Sequence, residues 1–210
     1  MTDKTFACLI PYHRTDKIQT AIDSAESDGW FVESYHDKNL AGVCKIRELL
    51  MSRAFVNKDT QFIRYLDDDD VLLPHREELI KAFYNNPTVD IIYCDYLMNM
   101  PSGAQHHIKY TGNPYDDCLP IHPWAWIARV EALHKVKDVY GYLWDYTTPR
   151  EGGHTWINFL QLGARIMHLP IEAYQYNKSF DPYCISQQQG SLGRASLELK
   201  LKTLKENILR

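Results

Sequence analysis

The sequence predicts a three-layer α/β/α fold around a mostly parallel central sheet. Three observations lead there. Short continuous apolar runs alternate with stretches of helical periodicity through the first hundred residues. The runs are stopped by proline or by polar residues, as buried strands are. A polar cluster follows each of the first three runs, and in such sheets a ligand lies outside the carboxyl ends of the strands.

The elements follow in order. "TFACLIPY" is a buried strand stopped by Pro11, and "TDKIQTAIDSAES" is a helix with Thr15 as N-cap and Ile18, Ala21, Ile22 and Ala25 on one face. "WFVESYHD" is the second strand. "AGVCKIRELLMSRAFVN" is the second helix, with Val43, Ile46, Leu49, Leu50 and Ala54 at helical spacing. "QFIRYLD", "PHREELIKAFYNN" and "VDIIYCDY" supply a third strand, a third helix and a fourth strand. The second half is less regular: loops and short strands over "PSGAQHHIKYTGNPYDDCLPIHP", then a helix in "RVEALHKVKDVYG". A further helix in "GGHTWINFLQLG" is ended by Gly163, and "ARIMHLPIEAYQYN" is a strand. "SFDPYCISQQQGSLGR" is a polar loop and "ASLELKLKTLKENILR" a closing amphipathic helix.

At 210 residues the expectation is one domain, with a first half (1–97), a second half (98–178) and a closing loop and helix (179–210). Hydrophobic content of 45% is globular, and a net charge of −4 argues against non-specific binding to polyanions. Five cysteines without a CxxC pair suggest neither a disulfide framework nor a zinc ribbon, which fits the cytoplasm. No segment approaches the length that crosses a bilayer, so no membrane insertion is expected.

The chemistry concentrates in "RYLDDDDVLLP", where Asp67, Asp68, Asp69 and Asp70 follow the third strand. Four like charges repel, so they are either solvated or neutralised by a cation. Mg²⁺ and Mn²⁺ take oxygen ligands, often one or two carboxylates, and complete the shell with water and phosphates. The other reading is an acidic turn that caps the following helix.

The order "IPYHR", "NLAGVCKIR" and "LDDDDVLLP" resembles the nucleotide-sugar domain of inverting GT-A glycosyltransferases of family 2, over residues 5–97 closely and 120–178 loosely. The resemblance implies transfer of a sugar from a nucleotide-sugar donor, a UDP-sugar by preference, to a hydroxyl acceptor with Mn²⁺ or Mg²⁺ as cofactor. By the same resemblance Asp67 contacts the ribose and, with Asp69, the metal, and Asp68 supports this site. Pro11, Tyr12, Arg14, Asp37 and Arg47 line the nucleotide pocket. "HDKN" replaces the family's longer acidic turn at Asp37, which leaves the base open.

An inverting transfer needs a general base for the acceptor hydroxyl. The family carries it in a Glu-Asp pair opening a helix. Here "REGGHTWINFLQLG" has Glu151 in the first place and Gly152 in the second. Glu151 is therefore the expected base, with Asp145 and then His154 behind it. Trp124 and Trp126, two apart, would share one face of a strand and stack on an acceptor. By the same resemblance, Lys178 and Arg194 flank a loop that closes over the donor and contact its diphosphate. The acceptor expected is a saccharide or a hydroxymethylated base in DNA. Two other functions compete: a nucleotide-sugar or glycan-binding module without activity, and a metal-dependent nucleotidyltransferase, for which "IPYHRTDK" offers only Arg14 and Lys17.

Overall fold

The computed structural model describes residues 5–39, 41–117, 121–144, 151–178 and 192–208. Strand β1 (Phe6–Tyr12) is buried along nearly its whole length and lies between two parallel neighbours, β2 (Phe31–His36) and β3 (Phe62–Tyr65). Helix α1 (Ile18–Ser27) links the first pair and buries Ile18, Ala21 and Ala25. Helix α2 (Val43–Val56) returns to β3 and buries Ile46, Leu50, Met51 and Ala54. Leu49, expected on that face, points to solvent, and Arg47 takes a buried position instead.

The chain then runs through β4 (Val71–Leu72), α3 (Arg76–Asn85), β5 (Ile91–Asn99) and β6 (Gln105–Ile108). A short 3₁₀ turn, Pro123–Ala125, leads into β7 (Trp126–Arg129) and α4 (Val130–Tyr140). Helix α5 (Glu151–Gln161), β8 (Ile166–Asn177) and α6 (Leu192–Ile208) complete the described chain. Gly141, at φ 79°, ends α4 in the left-handed conformation that favours glycine.

The sheet order is β2-β1-β3-β7-β5-β8-β4, with β6 paired to β5. The sheet is mixed, which corrects the expectation of a mostly parallel one. β7 lies antiparallel between β3 and β5, and β4 and β6 also run against their neighbours. A reversed strand needs no helical crossover, so β7 enters at the carboxyl edge of β3 and leaves directly into α4. That reversal sets the turn bearing Trp124 beside the end of β3. Pro170 lies within β8 and has no amide to give the ladder; the β5–β8 register shifts there, from Cys94↔Leu169 to Asp95↔Glu172.

The core is unusually aromatic. All five tryptophans are buried, and Tyr65, Trp126, Trp144 and Phe159 pack edge-on or stacked between the sheet and α5. Helix α5 is buried from Gly152 to Leu160, because α6 covers its outer side with Leu197, Leu201 and Leu204. No described helix is long and apolar enough to cross a membrane.

Candidate functional site

The parallel register of β1, β2 and β3 gathers their carboxyl ends, and with them the three polar clusters, at one edge of the sheet. Tyr12 pairs with His36 across the strands and their rings stack, 4.8 Å between centroids. Asp37 follows at once. Its two oxygens accept the amides of Ala41 at 2.7 Å and Gly42 at 2.9 Å, so it is the clip that opens α2. Gly42 makes that entry at φ 100°, which favours glycine. Asp37→Ala is expected to cost about 1 kcal/mol in urea unfolding, the usual value of a helix-start cap.

The four aspartates divide by burial. Asp67 and Asp69 keep side-chain exposures of 33% and 18%, whereas Asp68 is at 4% and Asp70 at 1%. Asp68 accepts the amides of His13 and Arg14, both at 3.2 Å, and the Arg14 guanidinium, so it fixes the turn after β1. Asp70 accepts the Asn177 amide at 2.8 Å, and the Asn177 side chain donates to the Asp69 carbonyl at 2.6 Å. The amide of Asp70 returns to the Asp67 carbonyl at 3.2 Å, closing the acid turn. The inner pair holds the turn, and the outer pair faces the open edge.

Each outer carboxylate has a cationic neighbour. Arg47 donates to Asp67 at 2.7 Å, its guanidinium 5.0 Å over the ring of Trp144. The Trp124 indole donates to the other oxygen of Asp67 at 3.2 Å. Arg14 spans Asp68 and Asp69, reaching the latter at 2.9 Å. Burial alone would lower the Arg14 guanidinium; its bonds to Asp68 and Asp69 outweigh that and raise it. Burial raises Asp69, the bond from Arg14 opposes this, and repulsion from Asp67 adds to it.

Asp70 lies well above the carboxylate value of 3.8, first through burial and then through repulsion from Asp67 and Asp69. Its second oxygen has no hydrogen-bond partner among the described residues. An aspartate that binds its proton more tightly when folded stabilises the fold fully below its unfolded pKa, and loses that contribution as pH rises through the folded value. Asp70→Asn is therefore expected to be more stable than wild type at neutral pH. The gap should close toward about pH 4 in urea unfolding run with a chelator.

Proteins of known structure share this fold. No family profile and no curated sequence matches the chain. Among solved structures, S. aureus TarS 1–349 in complex with UDP-GlcNAc is similar at a TM-score of 0.63 and 14% identity, over 95% of this chain and 71% of that one. A mannosyltransferase of Pyrobaculum calidifontis, PcManGT, in complex with GDP-Man and Mn²⁺, is similar at 0.60 and 11% identity, over 93% and 64%. The chain has the GT-A glycosyltransferase fold.

Within that GT-A frame the remaining expected site residues are placed as follows. Pro11 closes the apolar part of β1, and Lys178 follows β8 with its amide bonded to the Asn99 carbonyl at 3.0 Å. Glu151 is the first residue of α5. Its side chain, that of Arg194 in α6, and the whole of Asp145 lie outside the described residues. His154 is buried, and Lys200 of α6 sits 3.0 Å from its Nδ1.

The expected shared face of Trp124 and Trp126 is corrected. Trp124 lies in the 3₁₀ turn and Trp126 opens β7, both within 1% of full burial, so neither ring offers a face to an acceptor. Trp124 is instead overlaid by His122, 4.3 Å away and nearly parallel, and by Tyr176 at 5.1 Å, both only half-buried. Trp124 serves the site from beneath, through its bond to Asp67.

Four residues were not expected from the sequence. Asn177 grips the acid turn from β8, and His122 with Tyr176 covers Trp124. The fourth is Arg64, buried in β3, which donates to the Trp124 carbonyl at 3.1 Å and lies 5.2 Å over the ring of Trp30. Burial lowers its pKa. A charged residue inside the apolar run "QFIRYLD" was the available signal.

A divalent cation suits the outer pair. No described group of three or more His, Cys, Asp or Glu side chains forms a self-sufficient metal site. Two partly exposed carboxylates, two positions apart, match a hard cation that takes one or two protein oxygens and completes its shell with phosphate and water.

Proposed function

We propose that the chain transfers a sugar from a nucleotide sugar, a UDP-sugar by preference, to a hydroxyl acceptor with inversion at the anomeric carbon. The observation that carries this is the division of the acid run: a GT-A sheet edge that turns Asp68 and Asp70 inward to hold the turn and leaves Asp67 and Asp69 outward. Mg²⁺ or Mn²⁺ held by Asp69 and Asp67 would offset the charge that builds on the departing diphosphate.

The chain's own residues position the rest. Tyr12 lines the nucleotide pocket with Pro11 and Asp37. Arg47 orients Asp67 toward the ribose from a position fixed over Trp144. Glu151 is the proposed base for the acceptor hydroxyl, with Asp145 as the other candidate, and Lys178 and Arg194 are proposed for the diphosphate side. His122 and Tyr176 replace the tryptophans as the aromatic surface beside the donor. The acceptor fitting such a surface is a saccharide or an extruded hydroxymethylated base.

The test is thermal stabilisation by UDP, GDP and their sugar conjugates, with and without Mn²⁺, followed by release of nucleoside diphosphate from the sugar conjugate that binds. A metal-dependent shift with slow hydrolysis supports a transferase. Stabilisation without hydrolysis under any acceptor supports a second reading, a binding module, which Gly152 in place of the family's carboxylate favours. No stabilisation by any nucleotide overturns both.

A further inference from the structure

Resting on that function, we propose that Arg14 is a resident counter-ion that a divalent cation must displace from Asp69. As a result, the chain takes up metal only together with a nucleoside diphosphate. The argument begins with charge. Asp67, Asp68 and Asp69 face two guanidinium groups, Arg47 on Asp67 and Arg14 across Asp68 and Asp69. Two guanidinium charges thus offset much of the negative charge of the turn before any ligand arrives, which weakens its pull on a free cation. The two arginines differ in freedom. Arg47 has a side-chain exposure of 3% and is held under Asp67 by Trp144, whereas Arg14 is at 23% and sits in the turn after β1.

Arg14 also has somewhere to stay when it leaves Asp69. Its other arm is on Asp68, which is further fixed by the amides of His13 and Arg14 itself. Release of Asp69 is therefore a rotation about a retained contact. A guanidinium 2.9 Å from an Asp69 oxygen and a cation bound to the same carboxylate repel strongly, so the two exclude one another there. The diphosphate brings the negative charge that admits the cation, and the released arm of Arg14 then faces an anion in place of Asp69.

The experiment measures Mn²⁺ binding by the loss of its free electron paramagnetic resonance signal, alone and with saturating UDP or GDP. It compares wild type, Arg14→Gln and Arg14→Lys, each first shown to melt cooperatively. Wild type is expected to bind Mn²⁺ at least about tenfold more tightly with nucleotide than without. Arg14→Gln should bind Mn²⁺ alone about tenfold or more tightly than wild type does alone, and Arg14→Lys, a single point charge, should fall between them. If Arg14→Gln and wild type bind Mn²⁺ equally without nucleotide while both bind it with nucleotide, the counter-ion role is overturned and the proposed function stands. If no protein binds Mn²⁺ with or without nucleotide, the metal-dependent function fails and the counter-ion role with it.

Discussion

If the chain transfers sugar as proposed, Asp69→Ala is expected to reduce that transfer by about a thousandfold, the loss of roughly 4 kcal/mol of transition-state stabilisation, while leaving the protein folded. The side chain makes one contact among the described residues, to Arg14, and Arg14 keeps its bond to Asp68 when it is removed. Removing a charge that Asp67 and Asp70 repel relieves the turn, so the melting temperature without ligand should stay level or rise. The metal-dependent stabilisation by nucleotide should vanish. Asp68→Ala is the contrasting variant: it strips two amides and a guanidinium of their acceptor, and should lower stability before it touches metal binding. An Asp69→Ala protein that still shows a full Mn²⁺-dependent shift with UDP would remove Asp69 from the metal shell.

Placing a carboxylate at position 152, where the family 2 glycosyltransferases that the sequence resembles carry one, should damage this protein. A Cβ at position 152 would lie 2.7 Å from Cδ of Pro123, 2.9 Å from its Cγ and 3.2 Å from its backbone nitrogen. Real Cβ atoms do not approach that closely, and a proline ring within a buried turn has little room to give. Gly152→Ala is expected to cost about 1–3 kcal/mol through overpacking alone. Gly152→Asp adds a buried carboxylate and should cost more, lowering the melting temperature by about 2–4 °C for each kcal/mol. The displaced turn is the one whose Trp124 bonds to Asp67, so nucleotide affinity should fall along with stability. Thermal unfolding and nucleotide titration of both variants check this. A stable Gly152→Asp protein with faster transfer would place the base at 152 and overturn the assignment to Glu151.

The first half of the fold was legible because its signals are local. A buried strand reads as an apolar run, a helix as a periodic face, and the alternation of the two puts the acid run at a sheet edge. The reversed strand β7 was not legible. It is four residues long, and nothing in "HPWAWIARV" records which neighbours it enters between. The different duties of the four aspartates depend on Arg14 and Asn177, respectively 54 and 107 residues away from the aspartates they bond. Arg47 was named from its motif, yet its burial against Trp144 requires a segment a hundred residues later. The tryptophans failed for a related reason: alternation assigns faces only within a strand, and Trp124 precedes one.

The grip of Asn177 has a mechanical meaning. Its amide and side chain join the last residue of β8 to the acid turn at two points. A ligand that shifted the acid turn would therefore carry the end of β8 with it, and by linkage whatever shifted Asn177 would change the affinity of the turn for that ligand by the same amount.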